Sequence, residues 1–255
     1  MDGVEVVVAH RERATLRVGG VFLKVDADPA RTGREVAAMA LAPVPTATVL
    51  WHRPPALALA AVPGAPLGRL GDPTTAPPAA WAAAGAVLRR LHGAPLPPWP
   101  GRSVDELAML LDTECRGLVD EGVLPADLVA RARRVAEAVL RPWEPVFVHG
   151  DLQPEHVLVD GVEVTGVLDW SEAARGDALA DVAVLTMGHP ERLGDVLTGH
   201  GADVDLDVDR HVVRGWWAWR GLTATRWLLA HGFDPFAPGC EVDVVRAAGS
   251  REGPG

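Results

Sequence analysis

The segment from Val148 to Asp169 constrains the fold of this chain more than any other. Two runs rich in β-branched residues flank the dipeptide Asp160-Gly161, which is a strong signal for a tight turn. With a loop at about residues 160 to 163, the strands cover 156–159 and 164–168. The segment therefore predicts a β-hairpin with polar residues at its open end.

The predicted hairpin gathers three polar side chains. Antiparallel pairing sets His156 opposite Val167, so Asp169, which follows the second strand, lies near His156. Asp151 precedes the hairpin by one loop, which Pro154 stiffens by fixing its own φ. Phosphoryl transfer needs one carboxylate to orient or deprotonate a hydroxyl and further ligands to hold a divalent ion. Protein kinases place these groups in the same order. The alternative interpretation is a buried hairpin that carries acids at its ends.

The N-terminal part predicts a small sheet followed by a helix. Three short apolar runs lie between residues 4 and 25, the last two joined by a glycine pair, and Lys24 interrupts the third. A helix is expected from about Ala30 to Leu41, with Glu35 near its start. Glu35 can pair with Lys24 and hold it in place, as a kinase requires. The alternatives are a solvent-facing lysine and an acid placed favourably in the first helical turn.

Taken together, these motifs resemble the aminoglycoside phosphotransferase family, which shares the protein-kinase-like fold and includes macrolide, hygromycin, viomycin and choline-type kinases. The family's HGD…N pattern maps onto His149-Gly150-Asp151, with His156 in the place of the Asn. Its second acidic motif maps onto Asp169. Its Gly-Asp-(x)3-Asp tail maps onto Gly176-Asp177 and Asp181.

The resemblance implies an α+β, protein-kinase-like, two-lobed fold. A small antiparallel-sheet lobe would cover residues 1–62, with the hinge at its end. A mainly helical lobe over residues 63–255 would carry the catalytic loop and the acceptor-binding region. By the same resemblance, Ala60 to Val62 form the hinge, and the backbone of Ala60 and Val62 binds the nucleotide base.

Roles for the polar residues follow from the same resemblance. Asp151 would be the catalytic base and Asp169 the main Mg²⁺ ligand, with His156 at a second metal position. Lys24, held by Glu35, would bind the α- and β-phosphates of ATP or GTP. Magnesium prefers hard oxygen ligands, so the imidazole of His156 is a second choice for this ion.

Further roles concern the loops. Asp181 would support the catalytic loop, and Asp177 would lie in a structural turn. The loop between the first two strands contains no glycine, unlike the phosphate loop of most kinases, and offers Arg11 or Arg13 to phosphate instead. A solvated charged turn is the alternative interpretation of this loop.

The amino-acid composition restricts the classes of molecule that the protein is expected to bind. The formal net charge of −10 disfavours nucleic acid and suits a cationic small molecule. The two cysteines have no metal-binding or redox spacing, which favours a reducing cytoplasm. Neither a leader segment nor an apolar run of membrane-spanning length is recognised in the sequence, so no membrane partner is expected.

The sequence thus predicts a nucleotide-dependent O-phosphotransferase that modifies a hydroxyl of a small molecule, with an antibiotic as the first choice of acceptor. A metabolite kinase for a sugar, choline or amino alcohol is one alternative, and a non-catalytic nucleotide-binding module is another. Acceptor contacts are sought among the acids Asp112, Glu114, Glu172 and those at 203 to 209. The protein is expected to be a monomer or a homodimer.

Overall fold

The N-terminal part of the chain forms an antiparallel sheet that is covered by one helix. The structure is a computed structural model that describes residues 3–201 and 206–250, with the backbone alone at 206–209. The five strands of this N-terminal sheet lie in the order β1-β2-β3-β5-β4. They are β1 (Val4–His10), β2 (Arg13–Val18), β3 (Val21–Asp26), β4 (Val49–Arg53) and β5 (Ala56–Ala60). The glycine pair predicted to form a turn joins β2 to β3, with Gly19 at a φ of 55°.

Helix α1 (Pro29–Leu41) follows β3, and its start is marked in the sequence by a capping residue and a proline. The side chain of Asp28 accepts a hydrogen bond from the backbone N–H of Ala30, and proline occupies the first turn, where a missing N–H is harmless. The buried face of α1 includes Glu35, Ala38 and Met39. The helix therefore delivers a carboxylate to the interior, against the sheet.

The rest of the chain is mainly helical. Its helices are α2 (Pro78–His92), α3 (Val104–Asp120), α4 (Ala126–Ala136), α5 (Ala178–Thr186), α6 (Leu193–His200), α7 (Leu206–Ala230) and α8 (Glu241–Ser250). Helix α3 begins with a capping box, because Ser103 and Glu106 cap one another's backbone. None of the described helices is long and apolar enough to cross a membrane.

Two small sheets position the catalytic segment. They comprise β6 (Ala65–Pro66), β7 (Val146–Val148), β8 (Val157–Asp160), β9 (Glu163–Val167) and β10 (Ala174–Gly176), paired as β6-β8-β9 and β10-β7. The predicted hairpin is β8-β9, with Gly161 in its turn at a φ of 62°.

The predicted pairing of His156 with Val167 is wrong by one residue. A bulge in β9 shifts the register, so that Val157 pairs with Val167 and the carbonyl of His156 accepts the N–H of Leu168 at 2.8 Å. His156 itself lies in a short 3₁₀ turn that begins at Pro154. The bulge moves the end of β9 by one position and leaves Asp169 beside the catalytic loop.

The tryptophans of α7 differ in how deeply they are buried. Trp216 and Trp219 are buried and meet edge to face, with ring centroids 5.4 Å apart. Helical spacing directs Trp227 toward the same face, but this residue is 44% exposed and stacks on His231 and Phe233 instead. The reason is position: α7 has passed the core by this point and its end reaches the tip of the first hairpin.

Helices α2 and α6 cross with their backbones almost in contact at glycines. A Cβ on Gly199 would lie 1.7 Å from the carbonyl oxygen of Ala82, and one on Gly85 would lie 2.1 Å from that of Val196. Neither neighbour is a flexible side-chain end, so an added methyl group forces the helices apart.

We therefore expect Gly199→Ala to lower the free energy of unfolding by about 3 kcal/mol, the upper range for overpacking of a well-packed interface. Gly194→Ala is the matched control, because it lies on the same helix and its Cβ would have only the end of Arg210 within 4 Å, at 3.8 Å. Urea denaturation of both variants measures the difference. Equal midpoints for Gly199→Ala and wild type would contradict the backbone contact.

Candidate active site

The catalytic loop follows β7 and is fixed by a buried carboxylate. The side chain of Asp181, fully buried on α5, accepts the backbone N–H of His149 at 2.7 Å and that of Gly150 at 2.9 Å. Gly150 has a φ of 84°, and a Cβ there would lie 2.3 Å from the carbonyl oxygen of Glu172. Only glycine fits this position. Asp181 thus makes the contacts that the family resemblance implies.

Asp151 lies at the open end of this loop and is held by a residue distant in sequence. Arg220 on α7 donates to its Oδ1 at 2.6 Å, and the amide of Gln153 lies 3.3 Å from both carboxylate oxygens. Burial would raise the pKa of Asp151, but the charges of Arg220 and His156 outweigh it and lower the pKa below its ordinary value. The carboxylate is therefore ionised at neutral pH.

Asp169 forms the opposite wall of the site, directly after β9. Its φ of 60° makes it the one non-glycine residue with left-handed backbone among those described. The Nζ of Lys24 donates to its Oδ1 at 3.0 Å, and Arg13 donates to its Oδ2 at 2.9 Å. Burial opposes ionisation, but Lys24, His156 and Arg13 together hold the pKa of Asp169 well below its usual range.

Lys24 is buried and paired, so the solvent-facing alternative is wrong. Its Nζ lies 2.6 Å from Oε1 of Glu35, which is itself almost fully buried on α1. Burial would lower the pKa of Lys24, but Asp169 and Glu35 overcome this effect and raise it. The ammonium is held between the helix and Asp169, as the sequence predicts for a phosphate-binding lysine.

The predicted hinge lies where the large sheet ends. Strand β5 stops at Ala60, and the side chain of Val62 packs against Gly166 of β9. The N–H of Ala60 already donates to the carbonyl of Thr48 at 2.9 Å, and that of Ala61 to Gly20 at 2.8 Å. The Ala60 N–H is therefore already engaged in the sheet and would have to leave Thr48 to bind a nucleotide base, so the role expected of Ala60 stays a prediction.

The donor set beside the catalytic loop fits a magnesium ion that arrives with a nucleotide. Asp169 supplies hard carboxylate oxygens, and Mg²⁺ in phosphoryl-transfer sites is commonly held by one or two carboxylates plus substrate phosphates. The Nδ1 of His156 donates to the carbonyl of Asp151 at 2.8 Å, which leaves Nε2 with a lone pair. His156 can therefore serve as a ligand, although oxygen is the preferred donor.

Two arginines of the site were not assigned their contacts from sequence. The sequence suggests phosphate as the partner of Arg13, whereas in the structure this residue bridges Asp169 and Asp26, with its Nε 3.1 Å from the latter. The role of Arg220 is not predicted from the sequence. The available signal was a cation among the tryptophans of α7, in the run Trp216 to Gly221, where an apolar helix face carries a single charge.

The acids expected to bind the acceptor are engaged elsewhere. Asp112 pairs with Arg133, Glu114 with Arg226 and Glu172 with Arg31. The acids at 203 to 209 lie outside the residues whose side chains the structure describes. The pocket beside the catalytic loop is instead lined by Gln153, Arg220 and Glu241, together with apolar side chains from the loop before α2 and from α5.

The contact between Arg220 and Asp151 leads to a prediction for the pH dependence of any reaction that uses Asp151 as a base. Removing Arg220 removes a charge that lowers the pKa of Asp151. Because the base acts when deprotonated, Arg220→Met moves the acid limb of the kcat/KM profile to higher pH. Arg226→Met, on the same helix but paired with Glu114 and Glu121, is the control and leaves the limb in place. An unmoved limb in Arg220→Met would contradict the electrostatic role.

The architecture and the site define a protein of the kinase-like class. A lysine held by a helix glutamate faces an acid after a hairpin, and a second acid lies on the preceding loop, the arrangement that kinases use around a nucleotide. Within that class, the model of the phosphotransferase enzyme family (APH) matches residues 13–216. The chain belongs to this family.

Relatives with known names agree with this assignment. The chain is 35% identical to viomycin phosphotransferase of Streptomyces vinaceus over 184 residues, which cover 65% of this chain and 62% of that protein. It thus spans less than two thirds of that relative's length.

Solved structures show the fold. The GDP complex of aminoglycoside 2′-phosphotransferase-IIIa matches with a TM-score of 0.71 and 17% identity, covering 98% of this chain and 93% of that one. Macrolide 2′-phosphotransferase MphH from Brachybacterium faecium matches with a TM-score of 0.66 and 20% identity, covering 100% and 93%. The predicted α+β, protein-kinase-like fold is confirmed.

Proposed function

We propose that this protein transfers a phosphoryl group from ATP or GTP to a hydroxyl of a small-molecule antibiotic and thereby confers resistance. One observation supports this most directly. Lys24, paired with Glu35, and Asp169 lie together on one side of the site, and Asp151 lies on the other, ionised and held by Arg220. A module that only bound nucleotide would need the first group but not the second.

In the proposed reaction, Asp151 orients the acceptor hydroxyl and takes up its proton as the oxygen attacks the γ-phosphorus. The bond from the γ-phosphorus to the β,γ-bridging oxygen breaks, and the nucleoside diphosphate leaves. Lys24 binds the α- and β-phosphates, and Glu35 fixes the position of its ammonium. Asp169, with His156 beside it, would hold Mg²⁺, which when bound neutralises charge on the phosphates. Arg13 reaches the same region from β2. It contacts Asp169 in the structure and would bind phosphate when the nucleotide is present.

For the acceptor we favour a basic peptide antibiotic of the viomycin type. The 35% identity to viomycin phosphotransferase supports this choice, as does the net charge of −10, because an acidic protein attracts a cationic substrate. Glu241 lines the pocket near Asp151, and burial raises its pKa. A partly buried carboxyl without its own arginine partner in the ion pairs of the described residues is suited to meet an amino group of the acceptor.

The proposed nucleotide rests on a structure of similar fold, and the proposed compartment rests on the cysteines. GDP occupies the aminoglycoside phosphotransferase with this fold, so GTP deserves equal standing with ATP in assays. Cys115 and Cys240 are both free thiols, which suits a reducing cytoplasm.

A resistance screen tests the proposed function. The chain is expressed in a sensitive bacterium that is challenged with viomycin-type peptides, aminoglycosides and macrolides, and Asp151→Asn serves as the inactive control. Protection by wild type but not by the variant, together with a product one phosphoryl group heavier by mass spectrometry, supports the proposal. Purified protein that binds nucleotide yet phosphorylates no compound of this panel, nor choline, amino alcohols or sugars, would favour the non-catalytic module.

A further inference from the structure

Three potential metal ligands meet outside the active site, where the tip of the first hairpin touches the end of α7. His10 and Glu12 come from the turn between β1 and β2, and His231 directly follows α7. One ligand atom from each of the three lies within 4.8 Å of the others. The cluster thus joins the first hairpin to the end of α7.

His231 is prepared as a ligand. Its side chain is only 2% exposed, and its Nδ1 lies 2.7 Å from the carbonyl of Trp227. Because a carbonyl only accepts, Nδ1 carries a proton, and in the neutral tautomer Nε2 has the lone pair that a metal would take. Metal-bound histidines commonly donate their other N–H to a backbone carbonyl in this way, which fixes the ring.

The Nε2 atom of His231 is buried without a hydrogen bond among the described atoms. Oε1 of Glu12 lies 3.2 Å away, within ion-pair distance but not aligned for a hydrogen bond. A buried polar atom without a partner is costly, so it calls for an explanation. A cation between this nitrogen and the Glu12 carboxylate satisfies both groups.

His10 completes the set from the other side. Its ring is nearly perpendicular to that of His231, with centroids 5.1 Å apart, and Trp227 and Phe233 flank it. A ligand atom of His10 lies within 4.8 Å of those of Glu12 and His231. Its Nδ1 accepts the backbone N–H of Glu12 at 3.3 Å, so a metal bound through Nδ1 would replace this hydrogen bond.

We propose that His10, Glu12 and His231 bind one divalent ion of the zinc class, with water completing the coordination. Two imidazoles and one carboxylate suit Zn²⁺, Co²⁺ or Ni²⁺ and do not suit Mg²⁺, which needs oxygen ligands. Tetrahedral Zn²⁺ holds its nitrogen and oxygen ligands about 3.4 Å apart. The 3.2 Å separation of the His231 Nε2 and Glu12 Oε1 atoms is close to this value, and a ligand atom of His10 lies within 4.8 Å of a ligand atom of each of the other two residues.

The ion would clamp the hairpin tip to the helical part of the protein. The same hairpin carries Arg13, which contacts Asp169 in the active site. Since the ligands come from both sides of the cleft, metal binding stabilises the closed arrangement and slows release of a bound nucleotide. The bound ion would thus fix the position of the loop between β1 and β2, which lacks the glycines of the usual phosphate loop.

Cobalt titration of metal-free protein tests the site, with excess Mg²⁺ present to occupy the active site. We expect one tightly bound Co²⁺ with the intense visible absorption of tetrahedral nitrogen and oxygen ligation. His10→Ala, Glu12→Gln and His231→Gln should each weaken binding at least about tenfold. His211→Ala, an exposed histidine on α7, and His200→Ala, from the close pair with His92, are controls that should bind as wild type does.

Two results would overturn the proposal. One is wild-type affinity in all three ligand variants, and the other is loss of the absorption in His200→Ala, which would place the ion at the histidine pair. Circular dichroism establishes that each variant is folded, and Glu12→Gln keeps the side-chain volume if the histidine variants are unstable. The clamp is measured separately, as slower release of a fluorescent nucleoside diphosphate with Zn²⁺ than without it. An unchanged release rate in metal-loaded wild type would refute the clamp.

Discussion

Asp151→Asn is expected to lower kcat by at least about 10²-fold, and by up to about 10⁴-fold, while leaving nucleotide affinity within a factor of two or three. The substitution keeps the shape of the side chain and a carbonyl oxygen that can still accept from Arg220, so the loop fixed by Asp181 stays in place. The amide cannot take up the hydroxyl proton. The loss therefore falls on the chemical step rather than on binding.

Measurement of kcat and KM for acceptor and nucleotide, beside calorimetric nucleotide binding, separates these effects. Asp160→Asn is the matched control, because it makes the same chemical change on the exposed turn of the adjoining hairpin and should retain full activity. Undiminished turnover by Asp151→Asn would show that another group accepts the proton. Lost nucleotide affinity would show instead that the substitution disturbs the phosphate side of the site.

Much of the site could be predicted because its residues act through local patterns. The turn at Asp160-Gly161 fixes the hairpin, and the hairpin brings Asp169 to the loop that carries Asp151. A lysine that interrupts an apolar strand and a glutamate early in the next helix predict the pair Lys24–Glu35, because strand and helix can pack only with their buried faces together. These inferences need the spacing of residues along one or two elements and no knowledge of the distant chain.

The remaining contacts join segments far apart in sequence, and no local pattern specifies them. Arg220 reaches Asp151 from α7 because that helix packs along the catalytic loop, which depends on the whole helical part. Arg13 reaches Asp169 only because the first hairpin bends over the cleft. Asp112 and Glu114 were attractive as acceptor contacts by charge alone, and their arginine partners come from other helices.

The bulge in β9 shows a different limit. A two-residue turn with regular pairing sets His156 opposite Val167, and one extra residue in β9 moves every later pair by one position. Val157, Leu158 and Val159 are apolar and buried in succession, so the hydrophobic pattern does not alternate and cannot fix the register. The exposure of Trp227 has a related cause. Helical spacing gives the direction of its side chain, but not the point along α7 at which the core ends.

Asp169→Asn is the second large effect and acts on both chemistry and stability. We expect kcat to fall by about 10³-fold, since a metal ion contributes several kcal/mol of charge stabilisation in the transition state and each 1.4 kcal/mol is about tenfold. Lys24 and Arg13 would face each other without the carboxylate that now separates them. Removing one member of a buried ion pair costs about 3 kcal/mol or more, so the free energy of unfolding should fall as well.

Asp26→Asn separates the two consequences of losing Asp169. Asp26 also holds Arg13, at 3.1 Å, but has no contact with Lys24 among the bonds of the described residues. We expect this variant to lose stability and to keep the Mg²⁺ dependence of wild type, whereas Asp169→Asn requires far more Mg²⁺ for its residual activity. Titration of kcat with Mg²⁺, beside urea denaturation, distinguishes them. If Asp169→Asn kept the Mg²⁺ dependence of wild type, the carboxylate would serve only to hold Lys24 and Arg13, and the metal position would have to be sought at other residues.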